Sequence, residues 1–190
     1  MKGRESGMPD EPDWDAFFDA DAAVERIFES RAVEGDVVDF GCGYGTFTIP
    51  AAQRTRGTVT ALDIDPLMVE LVEDKAARLS LKNVRGVVRD FVSDGTGLDD
   101  ATQMHAMIFN LLHIEDPMVL LGEVRRIVER GGSASVIHWR GDVPTPRGPP
   151  LEIRPSPEQC RNWLRQAGFY TVTAVDIAEA CPHHFALLAR

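Results

Sequence analysis

Between Val37 and Thr46 the chain reads Val-Val-Asp-Phe-Gly-Cys-Gly-Tyr-Gly-Thr, a short valine-rich run that passes straight into glycines at 41, 43 and 45. A run this short and this β-branched predicts a buried strand rather than a helix. Glycines at alternate positions after it allow positive φ and let a ligand lie against the backbone. The stretch from about Thr46 to Arg54 then predicts a helix whose amino end faces that ligand. Strand, glycine turn and helix together imply an open α/β sheet and a nucleotide-like ligand. The dinucleotide fingerprint asks for G-x-G-x-x-G, whereas this turn is G-x-G-x-G with Thr46 at the last fingerprint position. Asp39 precedes the first glycine by two residues, where its charge would repel a pyrophosphate and attract a ligand carrying an ammonium group.

The same alternation runs through the rest of the chain. Thr58 to Asp63 reads as a second strand, and Asp65-Pro66 supplies an N-cap followed by proline at the first helical position. Met68, Val69, Val72, Ala76 and Leu79 put an apolar stripe on the helix that follows. Val84 to Arg89 and Met104 to Leu111 read as strands three and four. Asp116-Pro117 repeats the cap signal, and Gly131-Gly132 is expected to end that helix before a fifth strand from Ser133 to Trp139. Ser156 and Gln159 have capping-box spacing and open a helix closed by Gly168. Thr171 to Ile177 and His183 to Ala189 read as two last strands, joined by a link too short for a parallel crossover. The expectation is therefore a Rossmann-like, seven-stranded, mainly parallel sheet with helices on both faces and an antiparallel last strand.

A chain of 190 residues accommodates one such domain, expected over 13–190, after a polar tail at 1–12. Trp14, Phe17, Phe18, Ala22, Val24 and Ile27 predict one or two short helices ahead of the first strand. Five prolines and two glycines between Gly141 and Pro155 predict a stiff loop. With 30 acidic against 20 basic residues the formal charge is −10, which repels a phosphate backbone and favours a small-molecule substrate over nucleic acid. No apolar run approaches the roughly 20 residues of a membrane span, and no oligomeric state can be read. Cys42, Cys160 and Cys181 are few and scattered, consistent with a reducing cytoplasm and with neither a disulfide framework nor a CxxC metal site.

On these residues the chain resembles the class I S-adenosylmethionine-dependent methyltransferases, particularly the small-molecule group that includes quinone methyltransferases. The resemblance covers about Asp36 to Trp139 and, more weakly, the final strand pair. It implies S-adenosylmethionine as cofactor, with Asp39, Gly41, Cys42, Gly43 and Gly45 wrapping its methionine part. It implies that Asp63, eighteen residues after the last glycine, bonds the ribose hydroxyls, with Ile64 beside it. A carboxylate at that strand end is also where a vicinal diol would lie across a sheet crevice. Arg89-Asp90-Phe91 resembles the family's third motif, which gives Asp90 the adenine amino group and Phe91 the ring face; an aspartate capping the segment after the strand is the structural alternative. Asn110-Leu111-Leu112-His113 resembles the fourth motif, beneath the sulfonium and methyl group.

Methyl transfer from a sulfonium is an in-line displacement in which alignment and desolvation carry much of the rate. A base is optional, and His113 and His138, at the ends of strands four and five, are the residues placed to act as one, with a structural histidine as the alternative for each. His183 and His184 are adjacent on a strand and point to opposite faces, so no metal pair is expected. Met107-Ile108-Phe109-Asn110 supplies none of the carboxylates with which catechol-type relatives hold magnesium. Two other readings stay open: a nucleotide-dependent oxidoreductase of Rossmann type, and a non-catalytic cofactor-binding partner subunit.

Overall fold

A computed structural model describes residues 9–190. Its sheet has seven strands: β1 (Val37–Phe40), β2 (Val59–Asp63), β3 (Val84–Val88), β4 (Gln103–Phe109), β5 (Val128–Trp139), β6 (Val172–Val175) and β7 (His184–Ala189). They lie in the order β3-β2-β1-β4-β5-β7-β6. β1 pairs in parallel with β2 and β4, β2 with β3, and β4 with β5; β7 runs antiparallel to both β5 and β6. The antiparallel last strand follows from its short link, as the sequence predicts. Among the described residues six α-helices flank the sheet: α1 (Glu11–Asp15), α2 (Ala20–Ile27), α3 (Thr48–Gln53), α4 (Pro66–Arg78), α5 (Pro117–Ile127) and α6 (Pro157–Gln166).

Alternation along the strands divides the core between the two faces. Val38, Phe40, Ala106, Ile108 and Val136 pack with Leu120, Leu121, Val124 and Ile127 of α5 and with Cys160 and Leu164 of α6. Their neighbours Val37, Met107, Phe109 and Ile137 pack on the other side with Ala23, Val24 and Ile27 of α2 and with Ala51 and Ala52 of α3. A smaller group joins Cys42 and Ala61 to Val72 of α4. Asp65 and Asp116 cap α4 and α5 by accepting from Leu67 N (2.9 Å) and Met118 N (3.0 Å), and Ser156 with Gln159 closes the capping box of α6.

Two boundaries differ from the sequence reading. α5 ends at Ile127, not at the glycine pair, because Val128 turns into extended backbone and pairs with Gln103. The pairing then skips to His105 with Ser133, so Glu129 to Gly132 form an irregularity inside β5, with Gly131 at φ +88°. α3 starts at Thr48 because Gly41 to Phe47 are consumed by the turn, in which Gly45 N–H donates to the Cys42 carbonyl at 2.9 Å. The tail expected over 1–12 lies outside the described residues for 1–8. From Pro9 the chain is seated: the Tyr44 hydroxyl donates to the Pro9 carbonyl, Lys75 pairs with Glu11, and the Thr46 hydroxyl donates to Asp15 at 2.8 Å. No helix among the described residues is long and apolar enough to cross a membrane.

Candidate active site

β1 has β2 on one side and β4 on the other, so the sheet's crossovers diverge above β1 and open a crevice at the strands' carboxyl ends. The glycine turn forms one wall. Gly41, Gly43 and Gly45 adopt φ of +68°, +50° and +77°. A Cβ on Gly41 would stand 3.1 Å from Leu111 Cδ2, and one on Gly45 2.9 Å from Val72 Cγ2, so neither position has room for a side chain. Asp63, at the end of β2, ties that turn down: one carboxylate oxygen accepts from Gly43 N at 2.9 Å and the other from Asp65 N at 3.0 Å. The carboxylate is only half-buried, and a carboxylate has acceptor capacity beyond two hydrogen bonds. Ile64 beside it is exposed.

Asp39 is fully enclosed in β1. Burial pushes its carboxyl up to about 7, the Thr48 hydroxyl that donates to it at 2.5 Å pulls the other way, and the Asp63 charge adds to the rise. The Cys42 thiol is buried and its ionisation is driven upward by burial and by the Asp39 and Asp63 charges, so it is no nucleophile. Thr48 carries no signal in the sequence beyond standing near a helix start, and its contact with Asp39 was not foreseeable.

The opposite wall is the end of β4. Asn110 has φ +57°, and its N–H donates to the Ile137 carbonyl at 2.7 Å. Both polar atoms of its side-chain amide are buried with no partner. An unsatisfied buried amide costs free energy, which makes Asn110 a candidate for hydrogen bonds to a ligand. After β3, Arg89 N–H donates to the Asp63 carbonyl at 2.7 Å, which brings the next residues alongside. Asp90 accepts from Ser93 N at 3.2 Å, the turn-capping alternative, and Phe91 is buried edge-on against Phe40 with 5.2 Å between ring centres. The amide, the glycine cradle and the Asp63 carboxylate together fit a ligand with a diol and polar amino-acid end, the groups that S-adenosylmethionine carries.

Next to this crevice His113 and His138 meet, Nδ1 of the first 3.2 Å from Nε2 of the second. His138 Nδ1 lies 3.3 Å from the Trp139 carbonyl. Burial lowers both rings' proton affinity, that of His138 to about 3, and the Arg154 charge adds to the effect on both. Arg154 is a second residue that sequence reasoning missed. Its guanidinium donates to the carbonyls of Arg140, Arg147 and Pro149 and to the Thr145 hydroxyl, and so organises the proline-rich loop, 6.0 Å over the Trp139 ring. The aromatic residues before β1 form a cap. Phe17 meets Trp139 at 5.6 Å, and Phe18 meets Trp14, Phe47 and His184 at 5.1, 5.1 and 4.8 Å. Among the described residues no three His, Cys, Asp or Glu side chains are grouped to hold a metal ion. A groove of about 760 Å³ lies on the outer side of the turn, lined by Phe18, Thr46, Ile49, Lys75 and Leu79 among others, and includes none of Asp63, Asn110 or His113.

A family model described as "Methyltransferase domain" matches residues 37–132. The chain is 32% identical over 102 residues to the 23S rRNA (uracil(1939)-C(5))-methyltransferase RlmD of Alcanivorax borkumensis, covering 54% of this chain and 22% of that protein. It is 28% identical over 162 residues to the aklanonic acid methyltransferase DauC of Streptomyces sp. strain C5, covering 73% of this chain and 72% of that one. In fold it is similar to a SAM dependent methyltransferase from Aquifex aeolicus, with a TM-score of 0.79, 23% identity and coverage of 95% of this chain and 93% of the other.

Proposed function

The chain belongs to the methyltransferase-domain family, and from that premise we propose that it transfers the methyl group of S-adenosylmethionine to a small-molecule acceptor, as one domain over 13–190 in the cytoplasm. The observation that carries the reading is the unpartnered, buried Asn110 amide directly after β4, the strand that pairs with β1. An oxidoreductase would instead need a turn that welcomes a pyrophosphate, and this one departs from the G-x-G-x-x-G fingerprint and carries the Asp39 carboxyl beneath it. The histidine pair beside the crevice supports an enzyme over a non-catalytic subunit.

In this reading S-adenosylmethionine, when bound, supplies a methyl group made electrophilic by its sulfonium. Asp63 accepts from the ribose hydroxyls while keeping the Gly43 N–H, so the turn and the sugar are positioned by one carboxylate. Gly41, Cys42, Gly43 and Gly45 present backbone to the methionine end, and Asp39, ionised on contact with the ammonium, balances its charge. Ile64 and Phe91 provide apolar surface and Asp90 an acceptor for the adenine end. Asn110 orients the cofactor from the β4 side. His113 and His138 serve proton removal from the acceptor, and the aromatic cap of Trp14, Phe17 and Phe18 excludes water. The acidic surface and the similarity to DauC favour a small molecule over RNA, despite the similarity to an rRNA enzyme. Turnover of S-adenosylmethionine with a panel of small hydroxylated, amino and thiol acceptors, read as S-adenosylhomocysteine release, tests this. Release that depends on one acceptor class supports it, and release only with RNA or protein overturns the small-molecule assignment.

A further inference from the structure

The histidine pair has a direction, and the direction is fixed by a partner that cannot donate. The Trp139 carbonyl is an acceptor only, so the ring nitrogen 3.3 Å from it, His138 Nδ1, carries the hydrogen. That carbonyl faces away from β7, because Arg140 N–H donates to the His183 carbonyl at 2.9 Å and so makes Trp139 and His184 a pair that exchanges no backbone hydrogen bonds. His138 is completely buried and stays neutral, with its proton affinity pressed down by burial, by the neighbouring His113 and by Arg154. A neutral imidazole with hydrogen on Nδ1 has a lone pair on Nε2. The nitrogen 3.2 Å away, His113 Nδ1, must then be the donor between them. That leaves the lone pair of a neutral His113 on Nε2. This atom has no partner and is not among the enclosed polar atoms, so it opens to the surroundings of a half-buried ring.

We infer that His138 is a positioning residue, anchored to the Trp139 carbonyl, that holds His113 in its Nδ1–H form so that His113 Nε2 takes the proton of a hydroxyl acceptor. The inference rests on the methyl-transfer reading of the same site and narrows its substrate class to acceptors that must lose a proton, a hydroxyl among them. In the step the acceptor's O–H bond breaks and its proton goes to Nε2. The oxygen's electron pair forms the bond to the methyl carbon, and the pair of the sulfur–methyl bond remains on sulfur. One positive charge is thus lost at sulfur and one appears on the His113 ring. His138 Nε2 is already accepting from His113 Nδ1–H and stabilises that charge, the service a carboxylate gives in a serine-protease triad. The arrangement also opposes solution preference, because a free neutral histidine favours hydrogen on Nε2. Arg154 is the fixed charge acting on both rings, and it disfavours a resting imidazolium while favouring an oxyanion nearby.

The tautomers are read directly by nitrogen-15 NMR of the full-length protein near pH 7.5, with no acceptor present. The inference expects the hydrogen on Nδ1 in both His113 and His138. In His138→Phe, which removes the acceptor, His113 should revert mainly to its Nε2–H form. In His138→Gln, whose amide oxygen can still accept, the Nδ1–H form should be retained, and this variant keeps the comparison available if the phenylalanine variant does not fold. An Nε2–H tautomer at His113 in the parent overturns the inference, as does an unchanged tautomer in a folded His138→Phe. Calorimetry with S-adenosylhomocysteine on the same sample separates the two levels: Nδ1–H histidines without binding would overturn the methyl-transfer reading and with it the proton step, whereas binding with the wrong tautomer overturns only the role of the pair.

Discussion

Asp39 is a carboxyl group in an enclosed site where the Thr48 hydroxyl donates to it, and burial raises its value to about 7, above the ordinary 3.8. Between those values the folded protein holds a proton that the unfolded chain has lost. The contribution of this group to stability is therefore complete below about pH 4 and is lost as pH rises through about 7. A ligand ammonium against Asp39 favours the ionised form, so affinity for S-adenosylmethionine should be weaker at pH 6 than at pH 8. Asp39→Asn, which has nothing to ionise, should bind less tightly at pH 8 and lose the pH dependence. Calorimetric titrations at the two pH values check it, and an equal slope in parent and variant would place the ammonium elsewhere. Asp39, Asp63 and the glycines were legible because residue type and spacing alone mark them. The His113–His138 contact was not, because it joins residues 25 apart through the register of two neighbouring strands.

At the scale of elements, the helix starts were the most legible features, since a cap is a local contract between residues three or fewer apart. Ser156→Ala removes the hydroxyl that accepts from Gln159 N at 3.2 Å and leaves α6 with an orphan donor. Because Cys160 and Leu164 of α6 are buried in the main core, the loss should reach global stability, at ~1 kcal/mol in urea denaturation. A change within error would show that α6 frays without consequence. The end of α5 was misread for a physical reason: glycine after a helix usually signals its stop, but here Gly131 and Gly132 serve an irregularity in β5 instead. The seat of α1 on the glycine turn was equally hidden. It depends on Lys75 meeting Glu11 and Thr46 meeting Asp15, pairs that only the finished fold brings together.

The molecule as a whole encloses three neutral histidines, His105 between the hydroxyls of Ser133 and Ser135, His138, and His184 against Trp139, each lowered to about 3 chiefly by burial. Their ordinary value is 6.5, so the stability they contribute is present above about pH 6.5 and is lost as pH falls toward 3. Each steepens that loss by up to about 1.4 kcal/mol per pH unit, opposed by the single contribution of Asp39. Urea midpoints should therefore fall markedly from pH 7 to pH 5, and a flat profile would mean that these rings find water or open when they titrate. The central claim, that the β1/β4 crevice is an S-adenosylmethionine site closed by Asp63, meets its most direct test in calorimetric titration of the parent and Asp63→Ala with S-adenosylhomocysteine, with NAD as the competing ligand. The account predicts one S-adenosylhomocysteine per chain, affinity reduced by roughly 1–3 kcal/mol in the variant, and no heat from NAD. Binding of NAD in place of S-adenosylhomocysteine, or a variant that binds as the parent does, would contradict it.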